Sequence, residues 1–97
     1  MDKTLRTERL ELVDKQGRLR AVLACEEGSG APSFTLFDTD GQTRVIVGIS
    51  WNEMPQIQLS ASDGTARVAL VVRPEGTGMV VLMDEQQRSK TITPADT

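Results

Sequence analysis

Asp38, Asp40 and Gly41 in "DTDG" have the spacing with which a calcium-binding loop begins. Such a loop needs a further acidic ligand six residues after its glycine, and Val47 stands there. The stretch therefore reads better as a turn than as a metal site. Glu26 and Glu27 supply two carboxylates, but adjacent residues on a loop do not hold the separation of about 5 to 9 Å that glycoside hydrolysis requires. Arg20, Arg44, Arg67 and Lys90 recur as a column of cations that could bind an anion or serve a structural ladder. Cys25 is the single cysteine, so it has no second thiol for a disulfide, redox or zinc pair. There is no histidine and no tyrosine, which removes the commonest general base and metal ligand and the phenolic acid. No enzyme, resident metal or cofactor is expected from this inventory.

What positions these residues is a repeat. "ELVDKQGRLRAVL" from Glu11, "TLFDTDGQTRVIV" from Thr35, "QLSASDGTARVAL" from Gln58 and "VLMDEQQRSKTIT" from Val81 align without a gap. One column holds Leu12, Leu36, Leu59 and Leu82, a second Gly17, Gly41, Gly64 and Gln87, and a third the basic residues. A duplicated structural unit explains three such columns better than four independent sites do. Each copy alternates apolar and polar residues, interrupts them with turn residues, then alternates again, as a β-hairpin does. The expectation is an all-β single domain of about eight antiparallel strands in an up-and-down meander. Its four repeats, each of about 23 residues, cover residues 8–31, 32–54, 55–77 and 78–93, with a frayed tail over 94–97. The motif L-x-D-x-x-G-x-x-R resembles the hairpin repeats of uncharacterised bacterial proteins over roughly residues 8 to 93. The resemblance implies the meander and no activity.

A four-residue loop is expected in the first hairpin, pairing Val13 with Arg18, Leu12 with Leu19 and Glu11 with Arg20. A three-residue loop would set Leu12 against Arg20. The chosen parity collects Leu10, Leu12, Leu19, Ala21, Leu23, Phe34, Leu36 and their equivalents up to Leu82 on one nearly pure apolar face. The opposite face is mixed. Glu11, Thr35 and Gln58 are expected opposite Arg20, Arg44 and Arg67, and Lys90 and Ile92 share that side. Val22, Phe37, Ile46, Val71, Val81 and Met83 also lie there, more apolar than a water-facing sheet needs, and are expected to form a protein interface.

The connections "CEEGSGAPS", "SWNEMPQ" and "RPEGTG" meet at the end away from the D-x-x-G turns and read as irregular loops. They carry Trp51, Asn52, Glu53 and Met54, flanked by Glu26, Glu27, Arg73 and Glu75. Loops on a rigid scaffold are where recognition usually resides, so these residues form the candidate binding site, unless Trp51 merely caps the core.

With a net charge of −3 in 97 residues, the chain lacks the surplus of cations that nucleic acid demands. Its longest apolar run, "VALVV", is too short to span a bilayer, and "MDKTLRTERL" is charged where a signal peptide would be apolar. The composition is that of a soluble, cytoplasmic protein. The leading expectation is a structural or protein-interaction module whose principal partner is itself, a trimer ahead of a dimer, with edge strands near Leu10 and Val81 covered in the assembly. Another protein is a possible partner. The alternative is a small-ligand or peptide-binding domain at the loop end around Trp51.

Overall fold

Alternation of apolar and polar residues between tight turns puts the chain into eight strands, seen in a computed structural model that describes residues 3–95. They are β1 (Arg9–Val13), β2 (Leu19–Cys25), β3 (Pro32–Phe37), β4 (Thr43–Ile49), β5 (Pro55–Ser60), β6 (Ala66–Val72), β7 (Gly78–Met83) and β8 (Ser89–Ile92). Each pairs antiparallel with its neighbours in sequence, in one sheet of order β1 to β8. The all-β meander expected from the repeat is what the chain forms. Of the expected tail, residues 96 and 97 lie outside the described residues.

Two rows of directly opposed residues cross the sheet. One runs Leu12, Ala21, Leu36, Val45, Leu59, Val68, Leu82 and Lys90, and the other Leu10, Leu23, Phe34, Val47, Ile57, Leu70, Val80 and Ile92. Because successive side chains of a strand alternate between faces, these rows define one side, apolar except at Lys90. The intervening row is Glu11, Val22, Thr35, Ile46, Gln58, Ala69, Val81 and Thr91, on the mixed side. On that side β3 and β4 approach closely at Gly48, which opposes Ser33, since a Cβ there would sit 2.8 Å from the Pro32 carbonyl oxygen.

The register within the hairpins differs from the expected one. The Asp14 N–H donates to the Arg18 carbonyl, so only three residues lie in the loop. Val13 then opposes Leu19, but Leu12 opposes Ala21 and Glu11 opposes Val22, which leaves Arg20 as the extra residue of a β-bulge. Arg44 and Arg67 are the extra residues of the same irregularity in the second and third hairpins. The bulge removes the objection to a three-residue loop, because it steps the arginine out of register and returns leucine to alanine or valine. Leu19, expected on the apolar side, opposes Val13 instead. The fourth hairpin has no bulge, so Lys90 and Ile92 oppose Leu82 and Val80 on the apolar side rather than sharing the mixed one.

Each strand touches only its neighbours in the meander, and β1 and β8 do not meet. The sheet is open and one layer thick. Its radius of gyration is 16.0 Å, against about 12.5 Å for a compact chain of this length. Among the described residues only Ala21 and Val22 are buried hydrophobics, at 4% and 9% exposure. The edges are β1 and β8, so Leu10 does lie on an edge strand whereas Val81 lies one strand in, on β7.

The D-x-x-G turns place glycine in the left-handed region, with φ of 81° at Gly17 and 82° at Gly41. Gln87 occupies the same position of the fourth turn at φ 65°. Since an L-residue there costs about 1 kcal/mol, Gln87→Gly is expected to raise stability by about 0.5 to 1 kcal/mol. Denaturant titration at fixed protein concentration checks this, and an unchanged or lowered midpoint would contradict it.

Candidate functional site

The D-x-x-G end is built from backbone bonds. The Asp14 Oδ1 accepts from the N–H groups of Gln16 and Arg18 at 2.9 and 3.0 Å, and Asp38 and Asp84 repeat this two residues and four residues on. Where the third turn has Ala61, Asp63 accepts from the Thr65 N–H instead, at 2.8 Å. These bonds favour the ionised carboxylates. The Gln42 N–H at Asp38, the Thr65 N–H at Asp63 and the Arg88 N–H at Asp84 are the leading influences, and each aspartate is held below its ordinary value of 3.8. At Asp14 desolvation opposes ionisation, but the bonds and charge of Arg18 together with the Gln16 N–H outweigh it.

The arginine column is absorbed by the same end. Arg20 Nε donates to the Phe37 carbonyl at 3.2 Å, Arg44 Nε to the Ser60 carbonyl at 2.8 Å, and Arg67 Nη1 to the Asp84 carbonyl at 2.8 Å. Each guanidinium also faces the aspartate of its own turn, with Arg20 at 3.7 Å from Asp14, Arg44 at 3.3 Å from Asp38 and Arg67 at 3.6 Å from Asp63. Each therefore ties one hairpin to the next. The cross-strand partners expected from the sequence are not the ones used. Glu11 is bound to Arg9 at 2.7 Å, while Thr35 and Gln58 oppose Ile46 and Ala69. Lys90, without a bulge or a following hairpin, does not extend the series.

At the other end the loops are more regular than their sequences suggest. The Ser50 N–H donates to the Met54 carbonyl, and the Glu53 N–H returns to the Ser50 carbonyl. That is the pattern of the D-x-x-G turn, with Glu53 at φ 67° in the glycine position. The Ser50 hydroxyl accepts from the Met54 N–H as the aspartates do, and it bonds the Asn52 side chain. The loop from Arg73 to Thr77 repeats the backbone pattern. Only the connection after Cys25 is longer, closed by Glu26 N–H to Ala31 carbonyl. The serine and arginine at the turn starts hid the likeness, because neither carries the aspartate signature.

Trp51 is 78% exposed and caps no core. With Glu26, Glu27 and Cys25 it lines a groove of about 680 Å³ on the mixed side, floored by Val22, Thr35, Ile46 and Gly48. Asn52, Glu53, Met54 and Arg73 do not line it. Asn52 Nδ2 lies 3.4 Å from the Met54 sulfur, and Arg73 pairs with Glu75 at 3.5 Å. Of the expected interface on the mixed side, Val22 is buried, while Phe37, Ile46, Val71, Val81 and Met83 are half-buried.

The more exposed side is the apolar one. Leu12 and Leu23 are 64% and 51% exposed, and Phe34, Val47, Ile57, Leu59, Leu70 and Leu82 are exposed with them. The accessible surface of the chain is 7434 Å², whereas a compact protein of 10.6 kDa exposes about 5,500 Å². The surplus, about 1,900 Å², exceeds what one chain gives up in an interface of standard size, about 800 Å². Sequence parity found this face. It did not show that the sheet leaves it uncovered, because parity says nothing of whether a meander curls shut.

Among the described residues no three of the acidic and thiol side chains are grouped so as to hold a metal ion, and no helix is long and apolar enough to cross a membrane. Compared with family models and with curated proteins, the chain matches none.

Proposed function

We propose that the chain is a structural module that assembles with its own copies through the apolar side of the sheet. The observation that carries this reading is the two continuous apolar rows left exposed by a single open layer. Removing about 1,000 Å² of apolar surface from water gives on the order of 25 kcal/mol gross per chain. Association and ordering costs take a large part of it, but an isolated layer with two small buried residues has little else to offset its conformational entropy. Folding and assembly are then one process. The melting temperature is expected to rise by about 4 °C for each tenfold increase in protein concentration. A melting temperature independent of concentration from micromolar to millimolar would contradict the reading.

The groove beside Trp51 favours a second reading, a small-ligand or peptide site on the mixed side. It has apolar floor residues and is lined by three carboxylates, Glu8, Glu26 and Glu27, against one cation, Arg9, a balance that suits a cationic, partly apolar molecule. The two readings are compatible, since they use opposite sides of the sheet.

A further inference from the structure

The two edges of the sheet are not equivalent. β8 has four residues, is followed within two positions by Pro94, and turns Lys90 onto the apolar side opposite Leu82. A short strand and an inward-pointing lysine both oppose pairing with another chain. β1 is one residue longer and carries no charge on its apolar side. It is Arg9-Leu10-Glu11-Leu12-Val13, exposed along its whole length.

The direction of its backbone groups follows from two bonds. The Cys25 N–H donates to the Glu8 carbonyl at 3.1 Å, and the Asp14 N–H to the Arg18 carbonyl at 3.0 Å. In an antiparallel strand the N–H and C=O of one residue lie on the same side, and that side alternates. Leu10 and Leu12 therefore turn their backbone groups toward β2, and Arg9 and Glu11 turn theirs outward. The Thr7 hydroxyl meets both outward groups of Arg9, donating to its carbonyl at 3.0 Å and accepting from its N–H at 3.4 Å. It stands where a partner strand would, so a strand that pairs with Arg9 displaces both of these bonds.

We propose that β1 pairs antiparallel with β1 of a second copy, the two-fold axis passing beside Leu10. This rests on the self-assembly reading above and adds the edge and the register. Arg9 of each copy then opposes Glu11 of the other, which pairs the outward backbone groups and sets opposite charges across the strand on the mixed side. Leu10 meets Leu10, so the row that contains it runs on into the second sheet, while Leu12 of each copy falls opposite Glu8 of the other. Moving the axis to Glu11 would oppose two glutamates. Moving it to Leu12 would oppose Arg9 to Lys15, in the turn. An axis between residues would turn the two apolar sides to opposite faces. The contact is isologous and closes on itself, so the assembly contains an even number of chains.

The test places a cysteine on the axis. In a Cys25→Ser background, Leu10→Cys is expected to give a majority of covalent dimer on oxidation with diamide, since residues facing across a non-hydrogen-bonded pair lie about 4.5 Å apart, within disulfide range. Lys90→Cys in the same background is expected to give none. Independently of the cysteines, Arg9→Glu is expected to weaken association at least tenfold at low salt, and Arg9→Glu with Glu11→Arg to restore it. An oligomer that does not cross-link through residue 10, or is indifferent to Arg9→Glu, would overturn the edge contact and leave the apolar-side reading standing. Cross-linking of Lys90→Cys as readily as Leu10→Cys would also overturn it. A monomeric Cys25→Ser parent would overturn both.

Discussion

Ile57→Lys is expected to abolish assembly and folded structure together. Ile57 lies at the middle of an apolar row, opposed by Val47 on one side and Leu70 on the other. An ammonium group brought there has no partner, and each buried unpaired ion costs several kcal/mol, repeated in every copy of a symmetric interface. Association should fall by at least a thousandfold, and circular dichroism should lose its β signal at micromolar concentration, because the single layer has no core to fall back on. Ile46→Lys is the matched control. Ile46 is on the adjacent strand but on the mixed side, over the open groove, where a lysine can carry its charge to water. It should associate within about threefold of the parent. The reverse ranking would place the interface on the mixed side, among Phe37, Ile46, Val81 and Met83.

Arg44→Ala is expected to cost about 1 to 2 kcal/mol, equivalent to about 5 to 10 °C in melting temperature at fixed concentration. The substitution removes the bond from Nε to the Ser60 carbonyl at 2.8 Å and the contact with Asp38 at 3.3 Å, and it leaves a bulge with nothing to fix it. The side chain is 41% exposed, so the figure is set below that for a fully buried charged bond. Arg44→Lys should recover only part of the loss, because a single ammonium cannot serve a carbonyl and a carboxylate with the fixed fork of a guanidinium. Arg88→Ala is the contrast. Arg88 pairs with Asp84 at 2.7 Å but is 76% exposed and holds only its own turn, so its removal should change stability by less than about 0.5 kcal/mol. Equal losses at Arg44 and Arg88 would mean that tying hairpins together contributes nothing beyond the turn.

Much of this architecture is legible in the chain, and the parts that are not have local causes. The repeat columns mark the turns because aspartate and glycine answer a specific backbone need, and the alternation of Leu36 to Val45 or Leu59 to Val68 marks the faces. The bulges at Arg20, Arg44 and Arg67 are hidden, because one unpaired residue conserves the apolar side while shifting every opposed pair. The same cause misplaces Ile92 and Lys90, where the bulge is missing. Turn geometry at Ser50 and Arg73 escapes for another reason: hydrogen bonds of the backbone close those turns, so little in the side chains announces them. The candidate site was half visible. Trp51, Glu26 and Glu27 do share a groove, whereas Arg73 lies elsewhere and is paired with Glu75.

Whether the open sheet exists alone is decided most directly by its mass in solution. Sedimentation equilibrium of the full chain at micromolar concentration should give an integral multiple of 10.6 kDa greater than one, with no folded species at the monomer mass. A folded particle of 10.6 kDa that keeps its β signal on dilution would show that one layer suffices, and it would contradict the account.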